Sequence, residues 1–198
     1  MLNTLSACPY PYKKIAGIRL DQPPEKRGLK MIPRLEGAAG VAGIFMSHCR
    51  ALEDAINSGV DGKFALLEDD VRINKEFWDL DVEEILLETD FDILFLSPRY
   101  KAKIPNIDGK KPFVPTPFGL RLVDMTSALN DYIITGAHFL VFRDRATIEN
   151  TLRKLRNCDE LMDVDLFYLL NANCCGIHLD CVGTASLGSN HKVEELEG

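Results

Sequence analysis

The chain has 198 residues, 46% hydrophobic and 27% charged, with a formal net charge of −7 and a pI near 5.1. That length suits a single domain over 1–198 with a substantial core. The acidic balance excludes a protein built to grip a nucleic-acid backbone, which needs a basic face, but leaves room for a nucleotide held through a cation. No apolar run approaches the roughly 20 residues of a membrane span. The start, Met1 to Cys8, lacks the basic head and apolar core of a secretory signal, so the expected location is cytoplasmic. The six cysteines, Cys8, Cys49, Cys158, Cys174, Cys175 and Cys181, form no C-x-x-C pair and no zinc-spaced cluster. They read as reduced thiols, with a disulfide among the last three left open.

In chain order, Lys13 to Ile18 reads as a first strand, and Asp21 to Lys30, with Pro23-Pro24, as a loop. Ser47 to Ser58 reads as a helix: Ser47 as N-cap, Leu52, Ala55 and Ile56 as its apolar stripe, Gly59 as its stop. Phe64 to Leu67 is a short buried strand, Lys75 to Thr89 a helix, and Phe91 to Leu96 a strand. From Ser97 to Leu122 the prolines exclude a regular helix. A hairpin flap around Asp108-Gly109 is expected there, a natural place for substrate contacts. Tyr132 to Phe142 is strand interrupted at Thr135-Gly136, and Arg145 to Arg156 is a helix with Ile148, Leu152 and Leu155 on one face. Asp159 to Asn171 follows as a helix, Ile177 to Val182 as a last strand, and the polar stretch 184–198 as a loose tail. Alternating strands and helices predict an α/β fold, with a mixed, mainly parallel central sheet and flanking helices.

The most informative local feature is Glu68-Asp69-Asp70, directly after the apolar strand. Three adjacent carboxylates repel one another and call for a cation or hydrogen-bond donors. Glu68 and Asp70 lie two apart and share a face, while Asp69 takes the other. The carboxyl ends of strands open onto the ligand crevice of an open α/β sheet, where such a cluster suits a hard divalent ion shared with substrate phosphates. The plainer reading is an acidic loop that follows a strand.

Gly40-Val41-Ala42-Gly43-Ile44-Phe45-Met46-Ser47-His48 resembles the G-x-x-G-x-x-x-S-H motif of glycosyltransferase family 25, which includes lipopolysaccharide and collagen galactosyltransferases. The triplet Glu68-Asp69-Asp70, the strand Asp92 to Leu96, the segment Thr135 to Phe142 with Ala146, and the pair Val164-Asp165 follow in the family's order. The resemblance covers residues 38–170. The family's opening strand–turn–helix unit is matched only faintly, at 18–27, and Asp21 lies 26 positions before Ser47. That unit is therefore compressed or missing.

The resemblance implies a GT-A-like fold and a metal-assisted hexosyltransferase using a UDP-sugar donor, with galactose or glucose passing to a glycan or lipopolysaccharide acceptor. Asp70 is implied as metal ligand, with Glu68 beside it, for Mn²⁺ or Mg²⁺. Glu68, Asp69, Ser47, His48 and His138 are implied at the donor. Asp165 and Asp163 are the acceptor-base candidates, with Asp165 favoured by its match to the family's Val-Asp pair, against a plain role as helix N-terminal charges. His138 also fits a core histidine, and His48 a local hydrogen bond. Arg99, Lys101 and Lys103 fit either phosphate contact or a solvated loop. The short opening motivates an alternative, a catalytically silent binding module. A phosphotransfer enzyme on the same carboxylates lacks a Gly-rich phosphate loop.

Overall fold

The structure, a computed structural model, describes residues 5–20, 30–31, 39–81, 90–103, 113–115 and 121–184. The expected loop at Asp21, the second half of the Lys75–Thr89 helix, the Asp108-Gly109 turn and the tail from 185 lie outside the described residues. The elements are β1 (Lys30–Met31), α1 (Ala39–Asn57), β2 (Phe64–Leu67), β3 (Val71–Ile73), a 3-10 turn (Lys75–Asp79), β4 (Ile93–Leu96), β5 (Arg99–Ala102) and β6 (Phe113–Pro115). Then come β7 (Arg121–Asp124), α2 (Met125–Ala128), β8 (Tyr132–Thr135), β9 (Phe139–Phe142), α3 (Arg145–Arg156), β10 (Glu160–Leu161), α4 (Val164–Asn171), β11 (Cys174–His178) and β12 (Val182–Thr184).

The fold is mixed α/β. Its central sheet has six strands in the order β2-β9-β4-β11-β7-β6. Only β4 and β11 pair in parallel; every other neighbour in this sheet is antiparallel. The expectation of a mainly parallel sheet is therefore corrected. Short apolar runs report burial, not direction, and β9 enters in reverse between β2 and β4. Because β9 opposes both, β2 and β4 run the same way, and β11 runs with them. The carboxyl ends of these three strands and the start of β9 thus share one edge.

The strands read as continuous apolar runs because both sheet faces are covered. Ile93 and Phe95 of β4 join one core cluster, with Leu140 and Phe142 of β9 and the helix residues Phe45, Leu52, Ile148 and Phe167. Leu94 and Leu96 join the opposite cluster, with Phe139, Val141, Phe77 and Ile177. The alternation is the period of two that a pleated strand imposes. Phe77, in the 3-10 turn, packs edge-on to Trp78 and against Phe139. The helix expected from Lys75 is thus a single tight turn as far as Asp79, and residues 80–81 are non-helical.

Two further differences have clear causes. Lys13 to Ile18 forms no strand but lies beside α1, and α1 begins at Ala39 rather than Ser47. The Ile18 amide donates to Ser47 Oγ at 2.7 Å, and that hydroxyl donates back to the Gly43 carbonyl at 2.7 Å. A Cβ at Gly43 would fall 2.5 Å from the Ile18 carbonyl oxygen. Gly43 is thus present for close backbone approach rather than to end a helix, and Ser47 is a mid-helix residue bonded to its own preceding turn. The helix expected from Asp159 starts at Val164, because Glu160 and Leu161 pair in parallel with β1. The last expected strand is two, β11 and β12, separated by a turn closed by the Val182 amide on the Leu179 carbonyl.

α3 matches its expected span, with Asp144 as N-cap accepting from the Thr147 amide at 2.8 Å. Of the strands that begin within 97–122, β6 pairs antiparallel with β7 and β5 pairs with β8, neither of them a hairpin at Asp108-Gly109. All six cysteines are free thiols. No described helix is long and apolar enough to cross a membrane.

Gly43→Ala should displace the extended segment. Overpacking against the Ile18 carbonyl costs about 1–3 kcal/mol, more than the roughly 1 kcal/mol gained from helix propensity. Urea denaturation should show a net loss, and hydrogen exchange should show the Ile18 amide losing protection. A variant more stable than wild type, with Ile18 still protected, would contradict this packing.

Candidate functional site

The shared strand edge carries two adjoining cavities. One, of about 190 Å³, is lined by Glu68, Asp70, Asp163 and Asp165, with Gly136 and His138 at the turn between β8 and β9. The other, of about 340 Å³, is lined by Ser97, Arg99, Tyr100, His138, His178 and Thr184 among others. Arg99, His138 and Thr184 border both, and the Arg99 guanidinium donates to Thr184 Oγ1.

The acidic cavity is built from three elements. At the end of β2, Glu68 and Asp70 both line it, whereas Asp69 is exposed and does not. The expected split, Glu68 and Asp70 on one side and Asp69 on the other, is present, but a turn after β2 makes it rather than strand alternation, since β2 ends at Leu67 and the Val71 amide donates to the Glu68 carbonyl. The Glu68 amide donates to the His138 carbonyl at 2.8 Å, which joins the end of β2 to the start of β9. From α4, Asp165 accepts from the Ala137 amide at 2.7 Å and the Gly136 amide at 3.2 Å, one on each oxygen. Asp163 occupies the N-cap position of α4 but makes no side-chain cap bond, and it borders the cavity exposed.

His48 lies behind this wall, 4% exposed. Its Nδ1 is 2.8 Å from the hydroxyl of the fully buried Tyr168, and its Nε2 is 3.6 Å from Glu68 Oε1. An ionised carboxylate can only accept, so the contact with Glu68 calls for a ring proton on Nε2. His48 lines neither cavity; it orients Glu68. Ser47 is likewise committed, to Gly43 and Ile18.

The carboxylates differ in how they hold charge. Desolvation is the largest influence on Glu68 and acts upward, but the His48 hydrogen bond, with the charges of His48, His138 and Arg99, brings its pKa below the ordinary value. Asp70 is raised, by desolvation first and then by Glu68 beside it. Asp165 is raised because desolvation outweighs its two amide donors. Burial lowers the pKa of His138 despite the neighbouring Glu68 charge. Two polar atoms here, Asp70 Oδ1 and His138 Nε2, are buried with no hydrogen-bond partner among the described residues.

No group of three or more His, Cys, Asp or Glu side chains gathers at metal-holding geometry among the described residues. A closed protein cage is therefore not what these side chains form. Two carboxylates in one cavity, one with an unsatisfied buried oxygen, fit the other arrangement, in which Mg²⁺ or Mn²⁺ takes one or two carboxylates and completes its shell with ligand phosphates and water.

Sequence reasoning missed Tyr168 and undervalued Arg99. Tyr168 lies three residues after Asp165, on the same helix face, which was the available signal. Arg99 was grouped with Lys101 and Lys103, but only Arg99 lines the cavities. No family model matches the chain, and no curated protein matches it.

Gly136 has φ +111°, and a Cβ there would fall 2.7 Å from His138 Cε1. Gly136→Ala should cost about 1–3 kcal/mol by urea denaturation. The pH dependence follows from His138, whose pKa is lower in the folded state. Below about pH 6.5 the unfolded chain takes up more protons at this site, so stability falls as pH drops through that value. Between pH 7.5 and 5.5 the wild type should lose more stability than His138→Gln. Equal losses would mean that the folded state protonates His138 as readily as the unfolded chain does.

Proposed function

We infer that this chain is a GT-A-like, metal-assisted glycosyltransferase. It moves a hexose, galactose or glucose, from a UDP-sugar to a glycan or lipopolysaccharide acceptor. One observation carries the reading: Asp70 Oδ1 is buried without a partner among the described residues, in a cavity that it shares with Glu68, Asp163 and Asp165. A buried carboxylate oxygen in that state is costly unless a cation or donor reaches it. The resemblance in the Gly40–His48, Glu68–Asp70 and Thr135–His138 segments adds support, because each contributes to this one edge.

Asp70 would hold Mn²⁺ or Mg²⁺, with Glu68 as second ligand or as acceptor for a metal-bound water. The ion, when bound, neutralises the diphosphate leaving group. Tyr168 fixes His48, and His48 fixes Glu68, so the second carboxylate stays ionised and oriented. Asp163 is the better acceptor base of the two aspartates, since both Asp165 oxygens already accept backbone amides. A base must have a free oxygen within reach of the acceptor hydroxyl. Asp165 then positions the turn that carries His138. Ser47 serves by seating the N-terminal segment, and Asp69, off the cavity, has no part in it.

A catalytically silent binding module is favoured by one feature. Lys13 to Ile18, expected as the first strand, forms none.

Calorimetric titration of UDP with and without Mn²⁺ tests the reading. Wild type should bind UDP in a metal-dependent way. Asp70→Ala should weaken that binding by more than about tenfold, or about 1.4 kcal/mol, and Tyr168→Phe by a smaller factor. Binding that ignores the metal, or survives intact in Asp70→Ala, rejects the metal assignment. Metal-dependent UDP binding with no transfer to any glycan acceptor selects the silent module.

A further inference from the structure

The larger cavity shares Arg99, His138 and Thr184 with the acidic one, but its lining is opposite in sign. No described carboxylate lines it. Its charged and titratable walls are Arg99, Tyr100, His138 and His178, in a chain whose net charge is −7. Arg99 forms no ion pair among the described residues, although its charge acts on Glu68 and Asp70 across the border; its guanidinium donates only to Thr184 Oγ1 among the described residues, and a guanidinium carries five N–H donors. His138 is 4% exposed, and its Nε2 is buried without a partner among the described residues. Arg99 and His138 line one open space of about 340 Å³, and an unpartnered buried ring nitrogen in such a wall is a polar group awaiting a ligand.

The shape is held from both sides. Ser97 has a left-handed backbone, φ 53°, and its hydroxyl both donates to the Leu179 carbonyl and accepts from the Leu179 amide. That clamp ties the Arg99 strand to the segment leading from His178 to Thr184. A Cβ at Gly176 would meet Pro98 Cγ and the Tyr100 hydroxyl at 2.9 Å each. The floor is therefore fixed by close packing.

We propose that this cavity is a pocket for a sugar bearing a phosphate or carboxylate group, with Arg99 gripping the anion. Resting on the transferase reading, it is the acceptor pocket of the enzyme. The acceptor class is then an anionic glycoside rather than a neutral one. A guanidinium fork matches the paired oxygens of either anion. The volume suits one hexose unit, and the shared border with the acidic cavity sets the two ligands side by side.

The probes are glucose 6-phosphate, glucuronate and glucose, titrated without metal into wild type, Arg99→Gln, His178→Gln, Lys101→Gln and Asp70→Ala. Wild type should bind glucose 6-phosphate, glucuronate or both, and glucose at least about tenfold more weakly, the factor for one charge-assisted hydrogen bond. Whichever anionic probe binds identifies the anion. Arg99→Gln should remove that preference, His178→Gln should reduce it, and Lys101→Gln, on the same strand but off the cavity, should leave it intact. Asp70→Ala should also retain it, which separates this pocket from the metal assignment. Equal affinity for glucose and both anionic probes, no binding of any, or a preference that survives Arg99→Gln overturns the proposal. Failure of UDP to bind while the anion preference holds rejects the transferase reading and leaves the pocket standing.

Discussion

The site rests on the Asp165 carboxylate and the two backbone amides that converge on it. Gly136 and Ala137 are consecutive donors, and they require two acceptor oxygens from one side chain. An asparagine would meet one of them with an acceptor and the other with its own N–H groups. Each charge-assisted bond contributes about 1.5–3 kcal/mol, yet desolvation still prevails and the Asp165 pKa is raised. The carboxylate is held at some cost because the turn needs it. Through this clamp the start of α4 is fixed to the β8–β9 turn. Through the Glu68 amide on the His138 carbonyl the same turn is fixed to the end of β2.

That framework lets two carboxylates two residues apart behave differently. Glu68 has an imidazole partner and is stabilised in its ionised form; Asp70 has none and feels Glu68 as a like charge. The two neighbours therefore hold charge unequally. One carboxylate is already satisfied by the protein, and the other is left with an unsatisfied oxygen. Across the Arg99–Thr184 contact the sign of the lining reverses. The two cavities thus set groups of opposite charge side by side, with Arg99, His138 and Thr184 between them.

Much of this was legible in the sequence where local pattern and tertiary environment agree. Helix α3 shows its span and its apolar stripe, and β2 and β4 show their apolar runs. Strand direction was not legible, because β4 and β9 are buried on both faces whichever way they run. The start of α1 was hidden by Gly43, whose role is contact with a segment far away in sequence. Glu68, Asp70, Asp163, Asp165 and His138 were identified and do share one cavity. His48 and Ser47 were also identified, but neither borders it. Their partners, Tyr168, Gly43 and Ile18, come from tertiary packing, which motif spacing does not encode.

The Gly40–His48 segment joins these levels. Gly43 and Ser47 meet the N-terminal segment, whereas His48 meets Tyr168 and Glu68. On an α-helix adjacent residues are turned by about 100° from one another, so one helix presents its packing residues and its site residue to different neighbours at once. The register of α1 that seats Ile18 on Ser47 is the register that puts His48 behind Glu68. The ionised state of Glu68 therefore depends on how the N-terminal segment is seated, although no residue of that segment borders either cavity.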